Sequence, residues 1–157
     1  MRSFDSQTTF TRPADTTAYT AGDVVGATLA AIEFRNIGDH GQSILITDAD
    51  LRIDVTSVPA GMTTFRLHLY NATPPSALAD NAAWDLPAGD RLAYLGYIDL
   101  GTPVDVGSTL FVQTDGSGSK QIKMGATSSL WGYLVTNGGF TPTSAAVKAI
   151  RLNAKEA

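Results

Sequence analysis

The chain contains no cysteine. A disulfide framework and a thiolate nucleophile are therefore both excluded, and the redox compartment is left open. Histidine is scarce as well: His40 lies in a glycine-rich loop and His68 in strand-like sequence, and the two do not stand at metal-ligand spacing. Charged residues make up only 17% of the chain, with 11 Lys plus Arg against 15 Asp plus Glu for a net charge of -4. The basic residues are scattered, which excludes the clustered footprint of a nucleic-acid-binding protein. No apolar run approaches the ~18 residues of a membrane-spanning helix, and residues 1–5 lack a signal-peptide apolar core. The expectation is synthesis in the cytoplasm with no membrane partner. Thr, Ser, Ala and Gly take the place of charge. A surface of such small neutral groups loses little side-chain entropy when buried against another protein, which suits a subunit of a permanent assembly.

At 157 residues the chain suits one domain that buries roughly 70% of its unfolded surface around a single core. The clearest strand is residues 63–70, where Phe65, Leu67 and Leu69 alternate with Arg66, His68 and Tyr70. A period of two turns the first three toward a core and leaves the others on a wetter face. Pro74 and Pro75 cannot donate ladder hydrogen bonds, so pairing should end near Tyr70.

Residues 1–22 read as an extended N-terminal arm anchored by Phe4 and Phe10, with an edge strand over residues 8–11, because Pro13 disfavours a central strand. Residues 23–157 then form a single β-sandwich domain. Residues 24–34 supply strand material weakened by Gly26 and Ala30-Ala31, where a short helix is the alternative. In residues 43–57, Ile44 and Ile46 share one parity while Leu51, Ile53 and Val55 share the other, so a bulge or tight turn is expected at Asp48-Ala49-Asp50. Residues 74–90 form a long crossing connection, with a helical turn at residues 76–80 and with Trp84 and Leu86 plugging it onto the sandwich. Further strands are expected over residues 91–100, 109–113, 120–124, 130–136 and 147–152. Eight or nine strands, evenly spaced turns and little helix mean an all-β sandwich or barrel, and the long crossing loops favour a jelly roll of about eight strands.

Little in the sequence points to catalysis. Asp48, Asp50 and Asp54 offer paired carboxylates, but turn capping and a solvated strand end with Arg52 between them account for the same residues. Residues 115–119, Asp115-Gly116-Ser117-Gly118-Ser119, place side-chain oxygens at alternate positions as a calcium loop does, without the later Glu. Their Gly spacing does not match a phosphate loop. Asn71-Ala72-Thr73 spells a glycosylation sequon, but Pro74 follows it. The chain is expected to be no enzyme and to carry no cofactor or metal.

Two stretches carry a resemblance. Residues 9–26, from Thr9-Phe10-Thr11-Arg12-Pro13-Ala14-Asp15 to Gly22-Asp23-Val24-Val25-Gly26, are similar to the opening of small structural proteins encoded among tailed-bacteriophage virion genes. Phe65-Arg66-Leu67-His68-Leu69-Tyr70-Asn71, Asp80-Asn81-Ala82-Ala83-Trp84 and Tyr94-Leu95-Gly96-Tyr97-Ile98 resemble the middle of the same group. Over about residues 9–100 the chain thus resembles a viral protein of the capsid decoration, or cement, type. That resemblance implies a β-sandwich or jelly-roll subunit, often a homotrimer, bound to the major capsid protein on the outer surface of the head and clamping adjacent capsomers. It implies no catalytic residue. Under it, the arm at residues 1–22 and the loop at residues 71–90 become the contacts, with Phe4, Phe10, Tyr70, Trp84, Tyr94 and Tyr97 as interface residues; Trp84 fits a core plug equally well. Two other readings stay open. One is a phage tail or head-fibre adaptor. The other is a carbohydrate-binding module in which Tyr70, Trp84 and Trp131 stack on sugars.

Overall fold

A computed structural model describes residues 1–28, 31–114 and 119–157; residues 115–118, the body of the calcium-loop candidate, lie outside them. Among the described residues the alternating sequence forms ten strands: β1 (Ser3–Thr11), β2 (Ile32–Phe34), β3 (Ser43–Ile53), β4 (Phe65–Tyr70), β5 (Tyr94–Leu100), β6 (Val104–Asp105), β7 (Leu110–Gln113), β8 (Lys120–Lys123), β9 (Leu130–Thr136) and β10 (Val147–Glu156). They make two antiparallel sheets. One runs β1-β10-β3-β7-β6, with β8 also on β3, and the other runs β2-β9-β4-β5. Phe34, Phe65, Leu67, Leu69 and Leu134 from the smaller sheet meet Ile44, Ile46, Leu51, Val112, Ile150 and Leu152 from the larger in one core. The expected all-β sandwich is therefore borne out. The chain changes sheet between β1 and β2, β2 and β3, β3 and β4, β5 and β6, β8 and β9, and β9 and β10.

The parity conflict in β3 is resolved by one residue. β10 pairs with β3 from Lys148↔Ile53 to Asn153↔Asp48 and then resumes at Ala154↔Ile46, which leaves Thr47 as the extra residue of a bulge. Ile44 and Ile46 before it and Ala49, Leu51 and Ile53 after it all reach the core. The irregularity thus falls just before Asp48-Ala49-Asp50, and the strand continues through those three residues without a turn.

The N-terminal stretch expected to extend as an arm is a strand of the larger sheet over most of its first half. β1 pairs residue for residue with β10, from Ser3↔Lys155 to Thr11↔Val147. Ser6 is buried, and Phe4, Thr8 and Phe10 are half-buried on the same side. Thr, Ser and Gln show little hydrophobic periodicity, so the sequence conceals how early this strand begins. Beyond it, Arg12 is fully buried. Its guanidinium donates to Tyr19 Oη at 3.1 Å and pairs with Asp15 and Asp80 at 3.0 and 3.3 Å. Asp80 also accepts from Tyr19 Oη at 2.6 Å and from the Gly26 N–H at 3.0 Å. This cluster ties residues 12–26 to the long connection between β4 and β5.

That connection contains no helical turn at residues 76–80, contrary to expectation. The Ser76 N–H donates to Asp90, the Leu78 N–H donates to Tyr133 Oη, and Tyr133 Oη donates to the Ser76 carbonyl. Side chains have taken the main-chain groups that a helical turn would pair. A single 3-10 turn forms later, at Ala88–Asp90. Of residues 24–34, expected as strand with a short helix as the alternative, only Ile32–Phe34 forms a named strand among the described residues; Ala30 of the Ala30-Ala31 pair lies outside them, and Asp23 and Val24 form isolated bridges to Ala83 and Val135.

Candidate functional site

The outward face of β4 presents Arg66, His68 and Tyr70. On β5 they lie opposite Asp99, Tyr97 and Tyr94, and on β9 opposite Val135, Tyr133 and Trp131. Tyr94 and Tyr97 have opposite parity, yet both reach this face. The reason is a second bulge: Leu69 pairs with Gly96 and Tyr70 with Tyr94, leaving Leu95 unpaired and turned to the core. Gly96 adopts φ +94° there, a conformation that costs a residue without Cβ little.

The resulting aromatic shelf is closed by the long connection. Trp84 stacks on His68 with ring centroids 3.7 Å apart and planes 12° from parallel, and the Trp84 indole N–H donates to Tyr70 Oη at 3.2 Å. His68 Nδ1 and Tyr94 Oη share a hydrogen bond of 2.9 Å, while Tyr97 meets the His68 ring edge-on at 5.7 Å. The Arg66 guanidinium lies 3.9 Å above the Tyr97 ring, and its Nε donates to Asp99 at 2.8 Å. His68, expected on the wetter side of its strand, is in fact 4% exposed. Its sheet face does carry polar residues, but Trp84 covers it from a segment remote in sequence. Burial, reinforced by the Arg66 charge, pushes the imidazole pKa down to about 4, and burial pushes the Tyr70 hydroxyl up to about 12. At neutral pH His68 is neutral and Tyr70 protonated, so these two groups offer area and shape rather than proton transfer.

Four of the six expected interface residues, Tyr70, Trp84, Tyr94 and Tyr97, converge on this shelf. Tyr70 is fully buried, Trp84 and Tyr94 are half-buried, and Tyr97 is 45% exposed. Phe4 and Phe10 stand apart on β1, packed against the main core. Trp131 shares the face with Tyr70 and Trp84. Asp50, weighed as one of a carboxylate pair, lies 3.1 Å from Arg52 Nη1 instead, and burial holds its carboxyl above the usual range.

Sequence reasoning missed the exposed apolar residues before β5 and on and after β6. Leu92 is 99% exposed, Val104 58% and Val106 61%, and Tyr97 lies among them in sequence. β5 is the edge of the smaller sheet and β6 an edge of the larger. The Gly101 N–H donates to the Gln113 carbonyl at 2.7 Å and Leu100 bridges to Thr114, so the two sheets join on this side. Residues 92–106 therefore form a rim along which exposed Leu92, Tyr97, Val104 and Val106 alternate with exposed Asp99, Thr102 and Asp105. Next to strong β patterns, Leu92, Val104 and Val106 look like more strand core, and only the neighbouring Gly101-Thr102-Pro103 break signals that the chain is rounding a corner.

No protein-family profile matches the sequence, and no curated protein matches it. Several solved structures are similar in overall shape. PRD1 vertex protein P5 aligns over 97% of both chains at 13% identity and a TM-score of 0.34. A chain from the acid-stable capsid structure of Helicobacter pylori bacteriophage KHP30 aligns over 97% of this chain and 86% of its own at 10% identity and 0.31. A lipoprotein from Bacteroides thetaiotaomicron aligns over 98% and 79% at 11% identity and 0.35. Likenesses this shallow do not bear on function.

Proposed function

We propose that this chain is a non-enzymatic virion structural protein of the capsid decoration type. In this reading it is a jelly-roll subunit that assembles as a homotrimer on the outer surface of a tailed-phage head and binds the major capsid protein. The observation that carries the reading is the rim at residues 92–106. Leu92, Tyr97, Val104 and Val106 are exposed in succession along the edges that β5 and β6 form, and large apolar side chains left in water along a sheet edge favour cover by another protein. The resemblance over residues 9–100 supplies the virion context. The repeated crossing between β1-β10-β3-β7 and β2-β9-β4-β5 is how a jelly roll distributes its strands. His68, stacked on Trp84, also meets Tyr97 edge-on, which ties one rim residue to the shelf.

A sugar-binding platform fits the shelf less well. Tyr70 is buried, one face of Trp84 is taken by His68, and Arg66 lies over the Tyr97 ring, whereas a sugar needs an open ring face. The test is co-sedimentation of the purified protein with expanded phage heads stripped of their decoration protein. The native chain should pellet with heads, and a Leu92→Glu/Val104→Glu variant with an unchanged circular dichroism spectrum should lose affinity by roughly tenfold or more. Val58→Glu, which alters an exposed apolar residue outside the rim, should have no effect. A native chain that does not bind heads, or a rim variant that binds normally, overturns the proposal.

A further inference from the structure

A strand edge is a ready template for pairing with another chain, and folded proteins ordinarily blunt it with shortness, bulges, Pro or Lys. Most edges of this sandwich are blunted. β2 has three residues, β6 has two, and β8 has four with a Lys at each end. β5 is bulged at Gly96, beside which the Lys120 side chain lies. β1 is different. It runs for nine residues without Pro, Gly or Lys, pairs with β10 without a register shift, and carries one charged residue, Asp5.

The hydrogen-bond register shows which of its main-chain groups face outward. The Glu156 N–H donates to the Arg2 carbonyl and the Arg12 N–H to the Ala146 carbonyl, in line with the β1–β10 register at either end. Alternate residues of an antiparallel ladder bond the partner strand. Phe4, Ser6, Thr8 and Phe10 therefore turn their N–H and C=O groups to β10, while Asp5, Gln7 and Thr9 turn theirs away. Among the described residues, no backbone group bonds these outward groups. They face a groove of about 510 Å³, lined by Asp5, Ser6, Gln7, Thr8 and Thr9 on one side and by Glu33, Arg35 and Asn36 on the other.

We propose that the outer edge of β1 takes an extended polypeptide segment of another protein as an added strand, held by the main-chain groups of Asp5, Gln7 and Thr9. Five residues of β-strand span about 16 Å, which suits a short segment. The edge is recessed behind Glu33, Arg35 and Asn36, so it admits one strand more readily than the flank of a second sandwich. Recognition runs through the main chain, with two side-chain rules: no acidic residue opposite Asp5, where like charges repel, and no Pro where an N–H must donate. This inference concerns a different surface from the rim and holds whether or not the protein belongs to a virion.

The test uses the purified full chain and a displayed library of random peptides about ten residues long, enough to span the groove. Selected peptides should slow amide exchange at Asp5, Gln7 and Thr9 and should bind Leu92→Glu as well as the native chain. Gln7→Pro removes an N–H that the fold leaves free, so the variant should fold yet lose peptide affinity by roughly tenfold; Thr9→Pro is a second variant of the same kind. If no peptide is selected, or if peptides bind a folded Pro variant undiminished, the proposal fails. It fails equally if exchange protection appears away from β1, a readout that needs no variant. A native dimer that Gln7→Pro dissociates would assign the edge to a second copy and also overturn it.

Discussion

At the scale of single residues, His68 makes the most direct link between burial and behaviour. Its imidazole is held near pKa 4 against an ordinary 6.5, so the unfolded chain takes up a proton between those values that the folded chain refuses. Stability should therefore fall as pH drops from 6.5 to 4. Carboxylates titrate in part of the same window, and the comparison that isolates the histidine is His68→Phe, which keeps a stacking ring for Trp84. The variant should lose less melting temperature over this range than the native protein. In the native protein, NMR titration of the His68 ring should show no charge change until about pH 4; titration near 6.5 would mean that Trp84 does not cover it. Residue identity already marked Tyr70, Trp84, Tyr94 and Tyr97 as notable. Their convergence was not readable, because Tyr94 and Tyr97 differ in parity until the bulge at Gly96 brings them to one face.

At the scale of elements, two long-range ties hold parts of the chain that have weak patterns of their own. Arg12 and Asp80 join the segment after β1 to the connection between β4 and β5. Asp80 is nearly inaccessible while Asp15, the other carboxylate on Arg12, is half-exposed. Asp80→Ala leaves a buried guanidinium without its buried partner and should cost about 3–5 kcal/mol in urea denaturation. Asp15→Ala removes a solvent-screened partner and should move the urea midpoint much less than Asp80→Ala does. Equal losses would show that the cluster does not depend on Asp80. β3 makes a related point. Deleting Thr47 would turn Ile44 and Ile46 out of the core and cost about 3–6 kcal/mol at about 1.5–3 kcal/mol for each isoleucine, so a stable deletion variant would mean that the bulge can be relocated. The sequence pattern placed this bulge almost correctly because a change of parity within one apolar run demands an extra residue. It was silent on Arg12, since nothing local distinguishes a buried arginine from a solvated one.

At the scale of the whole molecule, the rim and the open edge of β1 lie on different strands and should serve different contacts. If the rim mediates trimer formation, light scattering of the native protein should give about three times the 16.5 kDa subunit mass. Leu92→Glu/Val104→Glu should then reduce the mass to one subunit, while Gln7→Pro should leave the trimer intact. A native monomer would remove the homotrimer, and a trimer that survives the rim substitutions would move its contact elsewhere on the sandwich.

Taken alone, the sequence determined that this is an all-β protein and located β4, β7, β9 and most of β10, because period-two alternation is a local property that each strand carries in its own residues. It also set the composition of a lightly charged, Thr- and Ser-rich surface. Which faces stay wet was decided only by the tertiary structure. His68 lies on the polar side of its strand and is buried because Trp84 folds over it, and Ser3–Thr11 is a strand because β10, from the far end of the chain, lies beside it. Alternation specifies that a strand has two faces, but what covers each face depends on segments distant in sequence.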